Sequence, residues 1–229
     1  MIIFLSLLFA FGASLASFLY ASIYRLTHNF SIISPRSRCD NCQTKLKPFE
    51  LIPILSFLWQ RGHCRYCATA IGWPSLVVET TGGFIVAGII CYPLRPKMIL
   101  LVVLMFLMLT LAILDSKTLS VPTYLLALTA ILAIGYQPSS WQFLIYIFSI
   151  WLLAQLPLRR FNQIGLADVD LIFIIYWLSG LTQATIILLI ACLSALGHFK
   201  IRPHTERIPF IPHLALAFIT WTIIYLHIS

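Results

Sequence analysis

Charge is what this sequence has least of. Of its 229 residues a tenth are charged and seven are acidic, whereas 60% are hydrophobic and the mean hydropathy is +0.95. A soluble domain of this length needs far more polar surface, so the apolar excess must face lipid. No basic, aromatic-bearing soluble module is present, and the net charge of +8 therefore calls for no nucleic acid. Basic loop ends beside an anionic bilayer account for it. No Gly-x-Ser-x-Gly elbow occurs, no thiol lies near a His within an apolar run, and no His-Glu-x-x-His helix exists. A zinc protease is excluded on ligands, and no serine or cysteine nucleophile is supported. No internal repeat or low-complexity linker is apparent.

Long uncharged runs are what the chain has instead. The first, Ile2 to Tyr24, is long enough to cross a bilayer, and its positive charge follows the run, at Arg25. A cleaved signal would carry that charge at its start, so the run is expected to be a retained helix. Seven further candidates are Leu76–Leu94, Met98–Leu114, Leu119–Gly135, Trp141–Leu158, Val169–Ser179, Leu181–Phe199 and Ile208–Ile228. The sixth is short and contains Asp170. If it crosses, 13 of the 15 basic residues lie on one side, and only Arg95 and Lys97 on the other. If it does not, Lys200, Arg202 and Arg207 change sides, and the split falls to ten against five. The positive-inside rule therefore predicts an all-α polytopic membrane protein of about eight transmembrane helices. The expected organisation is a first helix (1–24), a cytoplasmic loop (25–75) and a seven-helix membrane domain (76–229).

Four of six cysteines lie in that loop, as Cys39-x2-Cys42 and Cys64-x2-Cys67. Two such pairs about twenty residues apart have the spacing of a closed four-thiolate zinc site. Two disulfides compete with this reading, but the charge split places the loop in a reducing compartment. A redox pair needs one activated thiolate, and nothing in the sequence sets one pair apart. The zinc is expected to be structural, because a loop of about fifty residues cannot hold itself together by burial alone. His63 adjoins Cys64 but is not needed as a ligand. Cys91 and Cys192 lie in apolar runs and read as small hydrophobes.

The seven acids can be taken one by one. Asp40 and Glu50 lie in the polar loop and read as solvated, and Glu206 sits among basic residues and reads as paired. Glu79 stands near the start of the second span with its role open. Asp115 ends the third apolar run, and Asp168 opens the sixth. A lone Asp at a helix end is as readily a snorkelling partner for Lys117 or Arg160. Two acids reaching one membrane face point instead to function. Two carboxylates in one site share a proton, which gives an acid and a base from one residue type. The ionised member can activate water against a peptide carbonyl while the protonated member hydrogen-bonds the carbonyl oxygen. Asp170, two positions on, falls on roughly the opposite side of a helix.

These residues together resemble the type IV prepilin peptidases, membrane aspartyl proteases of the GxGD type. Ser17-Phe-Leu-Tyr-Ala-Ser-Ile-Tyr-Arg-Leu26 is similar to that family's first-helix exit. The stretch Arg36-Ser-Arg-Cys39 through Leu51-Ile-Pro-Ile-Leu-Ser56 to Arg61-Gly-His-Cys-Arg-Tyr-Cys67 is similar to its zinc loop. Val78-Glu79 resembles the start of its second helix. Asp115 with Pro122 resembles its first catalytic motif, Gly165-Leu-Ala-Asp168 its second, and Ile208-Pro-Phe-Ile-Pro-His-Leu214 the start of its last helix. The resemblance implies a bacterial cytoplasmic membrane protein with Asp115 and Asp168 catalytic at the cytoplasmic face. It further implies removal of a short basic leader from type IV prepilin-like precursors. Many members also N-methylate the new terminus with S-adenosylmethionine. The chain departs from the pattern at Ala167, Asp170, Thr123 and Ile211, where Gly, Lys, Asp and Gly are usual. The rival readings are a silent zinc-loop scaffold and an ion or proton transporter that uses the membrane aspartates.

Overall fold

The computed structural model describes residues 2–34, 36–90, 96–138, 148–152, 165–201 and 208–228. Among these residues the only regular elements are helices, and the only β pairings are two isolated bridges. Helix α1 is Ile2–Thr27, a 3-10 turn covers Pro48–Leu51, and short α2 is Leu55–Trp59. Helix α3 is Trp73–Ile90, α4 is Pro96–Thr118 and α5 is Thr123–Tyr136. A helical stretch at 148–152, here α6, precedes α7 (Leu166–Ser179), α8 (Leu181–Ile201) and α9 (Ile211–Ile228).

Four of these, α1, α4, α8 and α9, are each long and apolar enough to cross a membrane. The chain is a polytopic all-α membrane protein. Its lipid-facing character is plainest on α8, where Leu189, Leu193 and Leu196 are exposed. Helices α5 and α7 have 14 residues each, about 21 Å at 1.5 Å per residue, against a hydrocarbon core of about 30 Å. The fifth expected span, Trp141–Leu158, lies mostly outside the described residues. So do Cys91, Arg95, Arg159, Arg160, Arg202, Glu206 and Arg207.

The chain forms two compact units, Met1–Leu94 and Arg95–Ser229. In the first, α1 packs along α3. Gly12, Ala13 and Ala16 are buried on α1; Gly12 and Ala16 meet Gly82 of α3, and Gly83 of α3 meets the Phe9 ring. A Cβ on Gly12 would overlap the Gly82 carbonyl oxygen, and one on Gly82 would lie 2.7 Å from the Gly12 oxygen. Lipid offers no hydrophobic drive between helices, so close backbone approach at small residues supplies the packing.

In the second unit α4 packs on α5 and α9, α5 on α7, and α7 on α8 and α9. Leu104, Met105, Met108 and Leu111 of α4 are fully buried, as are Leu214 and Phe218 of α9. Gly180 separates α7 from α8 at φ +78 and ψ 170, with its N–H bonded 2.9 Å to the Tyr176 carbonyl. That conformation is open essentially to glycine alone, and it allows a single-residue reversal. Helix α4 ends at Leu119, whose φ of +51 is unusual for a side chain of this size. Its N–H closes the last turn on the Asp115 carbonyl at 2.9 Å.

Candidate cysteine centre and membrane carboxylates

The cysteine loop is built from one local motif used twice. Cys39 N–H donates to the Thr44 carbonyl at 3.0 Å and Gln43 N–H to the Cys39 carbonyl at 3.0 Å. Twenty-five positions on, Cys64 N–H donates to Thr69 at 2.8 Å and Ala68 N–H to Cys64 at 2.9 Å. The bridges Arg38–Lys45 and His63–Ala70 correspond, as do the left-handed Gln43 and Ala68 at φ +56 and +55. The expectation of no internal repeat is therefore corrected. Cys-x2-Cys-x-Thr occurs twice, and the signal was in the sequence, too short to stand out.

Each tight turn points its two sulfurs the same way, and the two turns face one another. The four Sγ atoms of Cys39, Cys42, Cys64 and Cys67 all lie within 4.8 Å of one another and could hold a metal ion. Cys39 Sγ and Cys67 Sγ are 3.7 Å apart. A tetrahedron with metal–sulfur bonds of about 2.3 Å has edges of about 3.8 Å, so the donor set fits a tetrahedral ion. Thr69 Oγ1 lies 3.4 Å from Cys67 Sγ and Thr44 Oγ1 3.3 Å from Cys42 Sγ. The hydroxyl and amide of Thr69 hold the Cys67 thiol down to about 5, and those of Thr44 lower Cys42. Both shifts favour the thiolate that a metal needs. Asn41 Nδ2 donates to Thr69 Oγ1 at 2.7 Å and ties the two turns together. His63 Nδ1 instead lies 2.8 Å from the Arg61 carbonyl.

Two loop-associated acids take roles that the sequence did not reveal. Glu50 was expected to be solvated, but it is buried at 6% exposure, with Oε2 accepting from Lys47 N–H at 2.8 Å. The 3-10 turn folds its side chain inward, which polarity alone could not show. Glu79, of open role, accepts from Ser17 Oγ at 2.8 Å and from Ile54 N–H at 2.7 Å. It thereby pins α1, α3 and the loop together.

In the second unit, Asp115 occupies the last turn of α4 and is buried at 8% exposure. Ile211 N–H donates to its Oδ2 at 3.3 Å. Ile211 opens α9, so its N–H is one of the donors that a helix start leaves without an internal partner. Asp168 lies in the first turn of α7, and its charge and that of Asp115 are within electrostatic reach of each other. Its carboxylate folds back over Gly165, where a Cβ would come within 2.9 Å of Oδ2. Asp170 turns elsewhere. Its Oδ1 accepts from Trp151 Nε1 at 2.7 Å, beside an apolar cavity of about 330 Å³ between α5 and α7.

Comparison with known proteins bears on the first unit. Residues 10–92 match the bacterial peptidase A24 N-terminal domain. A prepilin leader peptidase/N-methyltransferase of Bacillus subtilis (strain 168) is 47% identical over 87 residues, 37% of this chain and 35% of that protein. One from Myxococcus xanthus (strain DK1622) is 40% identical over 78 residues, 34% of this chain and 23% of that protein. One from Burkholderia pseudomallei (strain 1026b) is 36% identical over 63 residues, 28% and 20% respectively. The match thus spans about a third or less of these relatives' length. No solved structure matches. Residues 10–92 are thus similar to the N-terminal domain of the bacterial A24 peptidases, and about a third of the chain is similar to prepilin leader peptidase/N-methyltransferases.

Proposed function

We propose that the chain is an aspartyl endopeptidase of the bacterial cytoplasmic membrane that removes the short basic leader of type IV prepilin-like precursors at the cytoplasmic face. The observation that carries this reading is the arrangement of two membrane carboxylates. Asp115 is buried and bound by Ile211 N–H, and Asp168 lies within its electrostatic reach. Within this reading 1–24 anchors the chain, 25–75 is the cytoplasmic metal loop and 76–229 carries the chemistry.

Two acids that share one proton suit peptide hydrolysis. The ionised carboxylate takes a proton from water as the oxygen attacks the carbonyl carbon. The protonated carboxyl hydrogen-bonds the carbonyl oxygen, and a proton passes to the departing amine as the C–N bond breaks. Ile211 N–H keeps the Asp115 carboxylate oriented through these steps. Four thiolates at this spacing suit zinc, which would cross-link the loop and leave no open coordination position. N-methylation, for which S-adenosylmethionine would be the donor, rests on the names of the relatives alone. The test is co-expression with prepilin-like precursors, with leader removal read as a mass loss. No mass loss from any precursor, with the protein inserted and abundant, overturns the reading.

A further inference from the structure

The first unit contains a polar feature that peptide cleavage leaves unused. Ser17 of α1, Glu50, Ser56 of α2 and Glu79 of α3 line a cavity of about 330 Å³, with Leu51 and Phe57 among its apolar walls. Glu50 is 6% exposed, and among the described residues its Oε1 is buried with no hydrogen-bond partner. A buried carboxylate oxygen without a donor is destabilising, and more so when the group is charged. The site is complete only when something brings it a donor.

The second carboxylate is held in place at a cost. Ile54 stands at φ +63 and ψ −54, with Leu55 N–H 2.6 Å from the Pro53 carbonyl. This is the rarer, strained three-residue turn, and a β-branched residue at its centre is an outlier. Such a conformation persists only where its surroundings fix it. Here it delivers the Ile54 amide to Glu79 Oε2, while Ser17 holds Oε1. Each Glu79 oxygen still has a second lone pair for a ligand.

Three carboxylates, Asp40, Glu50 and Glu79, line the cavity against one guanidinium, that of Arg38, and the excess of negative charge selects a cation. Among the described residues, the four cysteines are the group of three or more ligating side chains close enough to hold a metal ion, and the glutamates belong to no such group. A guanidinium matches a carboxylate with both oxygens open, whereas Glu50 offers one. An ammonium group has three donors on a narrow apolar stem, and Leu51 and Phe57 provide the surface for that stem. We propose that this cavity binds a primary ammonium group, presented as a lysine side chain or as a free α-amine. The proposal does not depend on peptide cleavage.

Binding is measured on the purified full-length chain in lipid nanodiscs with its metal retained. The probes are N-acetyl-lysine amide, N-acetyl-norleucine amide (a similar stem without charge) and alaninamide (an α-amine without the lysine stem). At least one amine should bind saturably and at least about tenfold more tightly than the norleucine amide, as a charged hydrogen bond in a buried site requires. The tighter of the two amines identifies the source of the ammonium. Glu50→Gln should weaken that amine by roughly tenfold or more at unchanged metal content. Equal binding of the norleucine amide, or no binding by either amine, overturns the proposal in the wild-type protein, whether or not the variant folds. Unchanged affinity in a folded Glu50→Gln variant overturns it as well.

Discussion

A Cβ placed on Gly165 would sit 2.9 Å from Asp168 Oδ2, so the glycine leaves the volume into which this carboxylate folds. The obstacle is the far end of a side chain, and Gly165→Ala should therefore turn Asp168 to another rotamer without disturbing α7. A carboxylate displaced by about 1 Å from its productive position costs up to roughly a hundredfold in rate. Cleavage of a prepilin-like precursor should fall about ten- to a hundredfold in Gly165→Ala, with the membrane-inserted amount unchanged. Wild-type rates in that variant would show that the Asp168 orientation seen here is not the working one.

The three membrane aspartates should separate by substitution. Under the proposed mechanism Asp115→Asn and Asp168→Asn each remove half of a proton-sharing pair and should abolish cleavage while leaving the chain inserted and abundant. Asp170 instead accepts the Trp151 indole proton. An asparagine oxygen can still do that, so Asp170→Asn should retain clear activity. An inactive Asp170→Asn beside an active Asp168→Asn would reverse the assignment.

The metal loop is tested by content. Freshly purified, reduced protein should carry about one zinc per chain, as one four-thiolate site requires. Cys39→Ser or Cys64→Ser should lose the metal and lower the thermal midpoint more than the turnover of the protein that remains folded. Reduced wild-type protein without zinc would remove the metal from the account.

Much of this was legible in the sequence, for identifiable reasons. A membrane helix must be apolar over its whole length, so α1, α4, α8 and α9 could be read from uncharged runs alone. Paired Cys-x2-Cys turns force their sulfurs to one side, so the cluster of four followed from spacing. Glu50 and Glu79 could not be placed in the same way. Both are single acids in a region of mixed polarity, and their burial depends on how the 3-10 turn and the strained Ile54 turn fold over α1 and α3. The small residues Gly12, Ala16 and Gly82 were visible as letters. Which of them face each other is decided by helix crossing, which a single sequence does not state.

The proposed reaction needs Asp115 and Asp168 at the same membrane face, and the charge-derived topology that puts them there takes α7 across the bilayer from that face. The 13-to-two division of basic residues needs that crossing, yet α7 has only 14 residues, about 21 Å of helix against a hydrocarbon core of about 30 Å. A short crossing helix is accommodated by local thinning of the bilayer, or by a protein-lined, water-accessible recess at one end. A recess at the Asp168 end would also admit the water that an aspartyl protease uses as its nucleophile. Cysteines introduced at Ser116 and Leu166 should therefore react with a membrane-impermeant maleimide only from the cytoplasmic side. One at Ser179 should react only from the opposite side. Labelling is read peptide by peptide, so that the six native cysteines do not confuse it. If positions 166 and 179 label from the same face, α7 does not cross. Lys200, Arg202 and Arg207 then lie across the membrane from Asp115, the division of basic residues falls to ten against five, and the eight-helix topology has to be abandoned.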